Sequence, residues 1–149
     1  MPAKRINNKQ LGELLLNEGI ISRNQLKQAL KEQKDKGGLI GETLVELGYV
    51  KEDDIAQSLT AQYGFPFLTL KNYDVSPEIT DTIPAKLARQ YLLVPIDKIG
   101  NNLTLAMSNP LNTQAVSDVE LLSGCSVQAF VSTSSDIKKA IDKYYKDKQ

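Results

Sequence analysis

Five pairs of residues in the first 62 positions share one spacing, and they are the residues best suited to hold a ligand. Leu11 and Ile40, Gly12 and Gly41, Leu26 and Ile55, Leu30 and Leu59, and Gln33 and Gln62 all stand 29 residues apart. A glycine that follows an apolar residue at a helix start lets an incoming group reach backbone N–H donors, because no Cβ intervenes. The helix N-terminus itself favours an anion. Leu26, Leu30, Ile55 and Leu59 offer an apolar floor for a flat ring, and Gln33 and Gln62 carry donors and acceptors for its edge. A site with two like halves matches a ligand with two like halves. Taken singly, each of these residues is also explained by core packing.

No other constellation points to chemistry. Gly37, Gly38 and Gly41 lack the spacing, and the Lys-Ser/Thr ending, of a phosphate-binding loop. Glu52, Asp53 and Asp54 are adjacent, so on a helix they fan out over about 200° and cannot pair as acid and base on one face. They read as a charged first turn. The chain has no histidine, which removes the commonest general base and metal ligand. Cys125 is the single cysteine; it can form no internal disulfide, and nothing nearby in sequence activates it, so it reads as inert packing. No catalytic or metal-binding residue is assigned, and an enzyme is not expected.

The bulk composition narrows the class. The 149 residues are 41% hydrophobic, enough for a packed core. Net charge is zero, yet residues 1–38 carry eight basic against four acidic groups, and residues 39–70 carry one against five. The first copy therefore attracts an anion that the second repels, unless these charges are only two solvated faces. Duplex nucleic acid needs a larger basic excess, so none is expected as partner. No apolar run reaches the roughly 18 residues of a membrane span. The polar, basic start of the chain has no apolar core of a secretion signal. The lone cysteine fits a reducing compartment, so a cytoplasmic location is expected.

The same spacing dictates the elements that carry these residues. Leu11, Leu14, Leu15 and Glu18 recur at i, i+3, i+4 and i+7, the mark of a short amphipathic helix. Gly19 is placed to end it in the left-handed conformation, with Ile20 as the apolar contact beyond. Ser22 caps a second helix, Gln25 completes a capping box, and Leu26, Ala29 and Leu30 face inward. Gly37 and Gly38 break it. The second copy repeats this with Leu44, Val45, Leu47, Gly48, Ile55 and Leu59. Lys51 replaces the capping Ser22, and the acidic turn behind it compensates.

Downstream the period changes. Residues 67–70 read as extended and 72–77 as a polar segment. Pro84 starts a helix with Leu87, Ala88 and Tyr91 on one face. Residues 92–96 form a strand, at an edge because of Pro95. Gly100 to Asn102 turn the chain into a second strand at 103–107. Asn112 or Thr113 caps a helix with Val116, Val119, Glu120 and Leu122, and 126–131 alternate as a third strand. Strand, helix, strand in that order predicts a parallel pair. Ser134 or Ser135 caps a last helix carrying Ile137, Ala140, Ile141, Tyr144 and Tyr145.

The expected fold is α+β. Residues 1–66 form a four-helix subdomain of two tandem helix-turn-helix repeats (10–33 and 39–62), because neither hairpin buries its apolar stripe alone. Residues 67–149 form a small α/β subdomain with about three strands and three helices.

These residues resemble a known family. The two 24-residue copies, separated by residues 34–38, are similar to the tandem motif of MshEN domains, the N-terminal regions of type II secretion and type IV pilus assembly ATPases. That motif runs Arg-Leu-Gly, apolar pairs, Gly, two apolar residues, then Leu, Leu and a closing Gln. Ile83 to Ala88, Val94 and Pro95, Leu103 to Pro110, and Ile137, Ile141 and Tyr144 resemble the downstream half of the same domain.

The resemblance implies a non-catalytic regulatory module and, for many members, binding of cyclic di-GMP, a two-fold symmetric dinucleotide. Carried over, the site is Lys9, Gln10, Leu11, Gly12, Leu26, Leu30, Gln33, Ile40, Gly41, Ile55, Leu59 and Gln62. No resident cofactor is implied. This sequence departs from the motif at its arginines, which fall at Gln10 and Leu39; Lys9 or Arg5 are the nearby cations. The alternative is a docking module without nucleotide, whose partner is an assembly ATPase or the cytoplasmic domain of a membrane-anchored secretion or pilus protein. Direct membrane insertion is not expected.

Overall fold

A computed structural model describes residues 8–71 and 73–145, with side chains from Gln10 onward. The two copies open the chain as α1 (Asn8–Asn17), α2 (Arg23–Lys36), α3 (Ile40–Glu46) and α4 (Glu52–Tyr63). The repeat is visible in hydrogen bonds as well as in letters. Ile20 N–H donates to Leu15 O and Tyr49 N–H to Leu44 O, each at 3.0 Å. Gly19 N–H reaches Leu16 O and Gly48 N–H reaches Val45 O, again at 3.0 Å. This is the same Schellman ending twice, and it requires the positive φ of Gly19 (74°) and Gly48 (78°). The Ser22 capping box forms with Gln25 as the spacing predicts, while Lys51 caps α4 by position only.

The second half contains α5 (Pro77–Thr80), α6 (Ala85–Tyr91), β1 (Leu93–Ile99), β2 (Asn102–Met107), α7 (Thr113–Ser123), β3 (Ser126–Val131) and α8 (Ser134–Tyr144). The sheet order is β1-β2-β3. β1 and β2 are antiparallel, from Leu93 opposite Met107 to Ile99 opposite Asn102, with a register shift between Pro95 and Asp97. A proline cannot donate to the ladder, so an edge strand with a bulge beside it suits Pro95. β2 and β3 run parallel, Asn102 opposite Ser126 through Met107 opposite Val131, as the crossover predicts.

The structure departs from the sequence expectation in several places; the strand expected at 92–96 begins after Leu92, which ends α6 with a φ of 53°, and runs on to Ile99. The polar segment ends in a helical turn, α5, because Pro77 sits at its first position and Ser76 precedes it in extended conformation. The cap of α8 is Thr133, whose hydroxyl accepts from Asp136 N–H, and not Ser134 or Ser135. Leu122 does not join the packed face of α7 but is 59% exposed, since Ala115 and Val119 already fill the contact with the core.

Two hydrophobic clusters hold the molecule. One is built from the sheet, α6, α7 and α8; the other centres on Leu11, Leu15, Leu44 and Leu59. They exchange residues: Leu39 packs against the first, while Leu111 and Val131 belong to the second.

Tyr145 closes the first cluster from below. It is fully buried, and its hydroxyl lies 2.9 Å from Thr80 O and 3.0 Å from Ile83 O. Burial pushes its ionisation well above the usual tyrosine range. Tyr145→Phe leaves Ile83 O without its hydroxyl donor, while Thr80 O keeps Ile83 N–H at 3.4 Å, and should cost about 1–2 kcal/mol in denaturant unfolding at neutral pH. The unfolded phenol releases its proton near the ordinary tyrosine value of about 10, while the folded one holds it. The stability contributed by Tyr145 is thus present below that pH and lost as pH rises further. The phenylalanine variant should show a shallower alkaline decline than the parent protein.

Candidate functional site

The predicted site residues fall into a packed group and a peripheral one. Leu11, Ile40, Gly41 and Ile55 meet where the start of α3 faces α1 and α4. They line a pocket of about 50 Å³, together with Leu39, Tyr91, Asn109 and Ser134 of the adjoining elements. Gly41 is a close approach: a Cβ there would stand 3.3 Å from Leu11 Cδ2 and 3.7 Å from Ile55 Cδ1. Gly12 is closer still, since a Cβ would stand 2.7 Å from Leu26 Cδ1. In this structure both glycines therefore admit leucine methyls across the helix pairs, and Leu26 and Leu11 cover the two corners.

The other predicted residues lie apart from that pocket. Leu59 is fully buried in the helical core, while its counterpart Leu30 is 37% exposed. Gln33 Nε2 donates to Gly38 O at 2.9 Å, and Gln62 Nε2 donates to Glu18 Oε2 at 3.2 Å. The side-chain amide oxygen of Gln10, Oε1, is buried without a hydrogen-bond partner among the described residues. Lys9 has its backbone in α1; its side chain, like Arg5, lies outside the described residues.

Sequence reasoning did not anticipate the seam between the halves. A cleft of about 470 Å³ lies between the α2–α3 connection and α6 and α8, walled by Glu32, Lys36, Gly38, Glu42, Arg89 and Lys138 among others. Its charges are largely paired: Lys36 with Glu32 at 2.8 Å, Lys138 with Glu42, and Arg89 with Asp142 at 3.5 Å. The hydrogen bond and charge of Glu32 raise the Lys36 ammonium above its ordinary value. Such a balanced wall does not single out an anion.

Glu52 makes the second tie across the seam. It accepts from the Ser135 hydroxyl and, at 3.3 Å, from Ser135 N–H, although it stands in the first turn of α4. One carboxylate thus serves the positive ends of two helices. Only the charged-turn half of that role can be read from neighbouring residues; a partner 83 positions away leaves no local signal. Among the described residues no group of His, Cys, Asp and Glu is placed to hold a metal ion, and no helix is long and apolar enough to cross a membrane.

A small helical pair-of-pairs tied to a three-stranded α/β unit defines a recognisable class. The MshEN domain model matches residues 63–149, more than half of the chain, and the chain belongs to that family. Its relatives extend the likeness across the helical half. It is 39% identical over 139 residues to the type IV pilus assembly ATPase PilB of Myxococcus xanthus, covering 93% of this chain and 25% of that protein. It is 31% identical to PilB of Thermus thermophilus over 97% of this chain and 16% of that one. The chain thus spans a quarter or less of these relatives, corresponding to their N-terminal regions.

Solved structures share the fold. The N-terminal domain of XpsE superposes with a TM-score of 0.75 at 21% identity, over 97% of this chain and 99% of that one. The structure of MshE with cdg (cyclic di-GMP) gives 0.66 at 30% identity, over 91% of this chain and 98% of that one.

Proposed function

We propose that this chain is a non-catalytic regulatory module of a secretion or pilus assembly ATPase, and that it takes cyclic di-GMP across its two repeats. The observation that carries this reading is the likeness to MshE with cdg, at 30% identity over 91% of the chain. The paired Leu11 and Gly12, Ile40 and Gly41, and Gln33 and Gln62 support it from the sequence side. The leucines over the glycine corners present the ends of flexible side chains, so opening a corner is a rotamer change and leaves the helix backbone in place.

A second reading, a module that docks a partner protein without nucleotide, is favoured by a specific observation. Neither Gln10 nor Leu39 can offer the planar fork of an arginine to phosphate or guanine, and both corners are closed. Titration calorimetry separates the two. The receptor reading expects saturable heat with cyclic di-GMP, weakened about ten- to a hundredfold relative to a site with its arginine, the equivalent of one charged contact. Absence of heat with protein at roughly 100 μM, where a Kd well above that concentration escapes detection, leaves the docking reading standing alone.

A further inference from the structure

On α4, Asp53, Ala56, Gln57, Thr60 and Ala61 follow i, i+3, i+4, i+7 and i+8, so they form one continuous face. After the turn at Gly64 the chain comes back beside this face, and Phe67, 47% exposed, makes the opposite wall. Between them runs a mostly apolar groove of about 320 Å³. Its floor is made of small side chains, Ala56 and Ala61, which let another backbone come close. The Thr60 hydroxyl in that floor is buried with no hydrogen-bond partner among the described residues. The residues of the candidate nucleotide site on this helix, Ile55, Leu59 and Gln62, take no part in lining it.

The charged residue that lines the groove, Asp53, is acidic. α4 carries Glu52, Asp53 and Asp54 and no cation within its span. Lys51, at the cap, is the single basic group of residues 39–70, against five acidic ones. Glu52 is engaged by Ser135, and Asp53 stands at the mouth of the groove.

We propose that this groove seats an amphipathic helix of a partner protein. The partner lays its apolar stripe on Ala56, Thr60, Ala61 and Phe67 and sets a basic end over Asp53. Small residues along one helix and an aromatic wall opposite suit the helix-in-groove mode, where apolar anchors give affinity and end charges give orientation. A second copy offering the same α4 face meets this charge poorly, since it brings acidic groups and no cation to the contact. The proposal is independent of nucleotide binding.

The test uses two synthetic amphipathic peptides of about 15 residues, long enough to form helix on the surface. They share one leucine stripe and end in lysines or in glutamates. Amide shifts are followed by NMR on the whole chain. The lysine-ended peptide should shift Ala56, Thr60, Ala61 and Phe67 and bind about tenfold more tightly than the glutamate-ended one, roughly one hydrogen-bonded charge contact. Ala61→Arg, at an exposed helical position, should cut that affinity about tenfold without lowering the melting temperature. Asp53→Lys should abolish the preference between the peptides. Shifts scattered over other surfaces, equal affinity for the two peptides, or a dimer of this chain dissolved by Ala61→Arg would each overturn the proposal.

Discussion

Leu59→Ala should lower the unfolding free energy by about 3 kcal/mol, whereas Leu30→Ala, the same change at the equivalent place in the first copy, should cost about 1 kcal/mol or less. The two leucines are 29 residues apart in the repeat, but α2 buries only Ala29 whereas α4 buries Ile55, Ala56, Ser58 and Leu59. Leu59 is fully buried and Leu30 is 37% exposed. The difference comes from what lies beyond each helix. α4 packs on β3, and Val131 and Leu111 of the α/β half join the helical core beside it. α2, which carries Leu30, packs chiefly on α3 and α1.

Truncation at Leu59 therefore leaves a cavity that a tightly packed core fills incompletely, while truncation at Leu30 mainly returns surface to water. In a domain of this size the larger loss corresponds to about 6–12 °C in melting temperature. Equal losses at the two sites, measured by urea unfolding of both variants, would mean that the copies share one environment after all.

That contrast marks how far the sequence carried the structure. Local grammar was legible because its physics is local. The two glycine endings, the Ser22 box, the Pro95 edge strand and the parallel crossover all depend on residues within a few positions or on chain order. Long-range facts were not. Identical letters at repeat positions cannot reveal that one copy leans on a sheet and the other does not. The Glu52 carboxylate between two helix ends has the same difficulty, because Ser135 is remote in sequence. So has the closing of Gly12 under Leu26, where a glycine fit for backbone access is equally fit for close helix packing. The short α5 was missed for another reason. A turn started by Pro77 in a polar stretch has no apolar period to announce it.

Gln10→Arg should tighten cyclic di-GMP binding about ten- to a hundredfold if the receptor reading holds, and the structure makes it the better of the two arginine substitutions. A guanidinium provides a charged, planar pair of donors to a phosphate or a guanine edge, a contact of about 1.5–3 kcal/mol. Gln10 gives up little in exchange, since its side-chain Oε1 is buried with no partner among the described residues. Leu39 gives up more. It is the position before α3, packs against the core of the α/β half, and lines both the cleft of about 470 Å³ and the small pocket at Gly41. Leu39→Arg should therefore gain a similar phosphate contact while lowering stability, by about 1–2 kcal/mol for the lost apolar burial. Calorimetry and thermal unfolding on the same two variants separate affinity from stability. Position 10 is half-buried, so the gain there should weaken only modestly as salt rises, since buried charge pairs are screened less than exposed ones. If wild-type protein already binds at nanomolar Kd and Gln10→Arg leaves it unchanged, the missing guanidinium is not what limits this site.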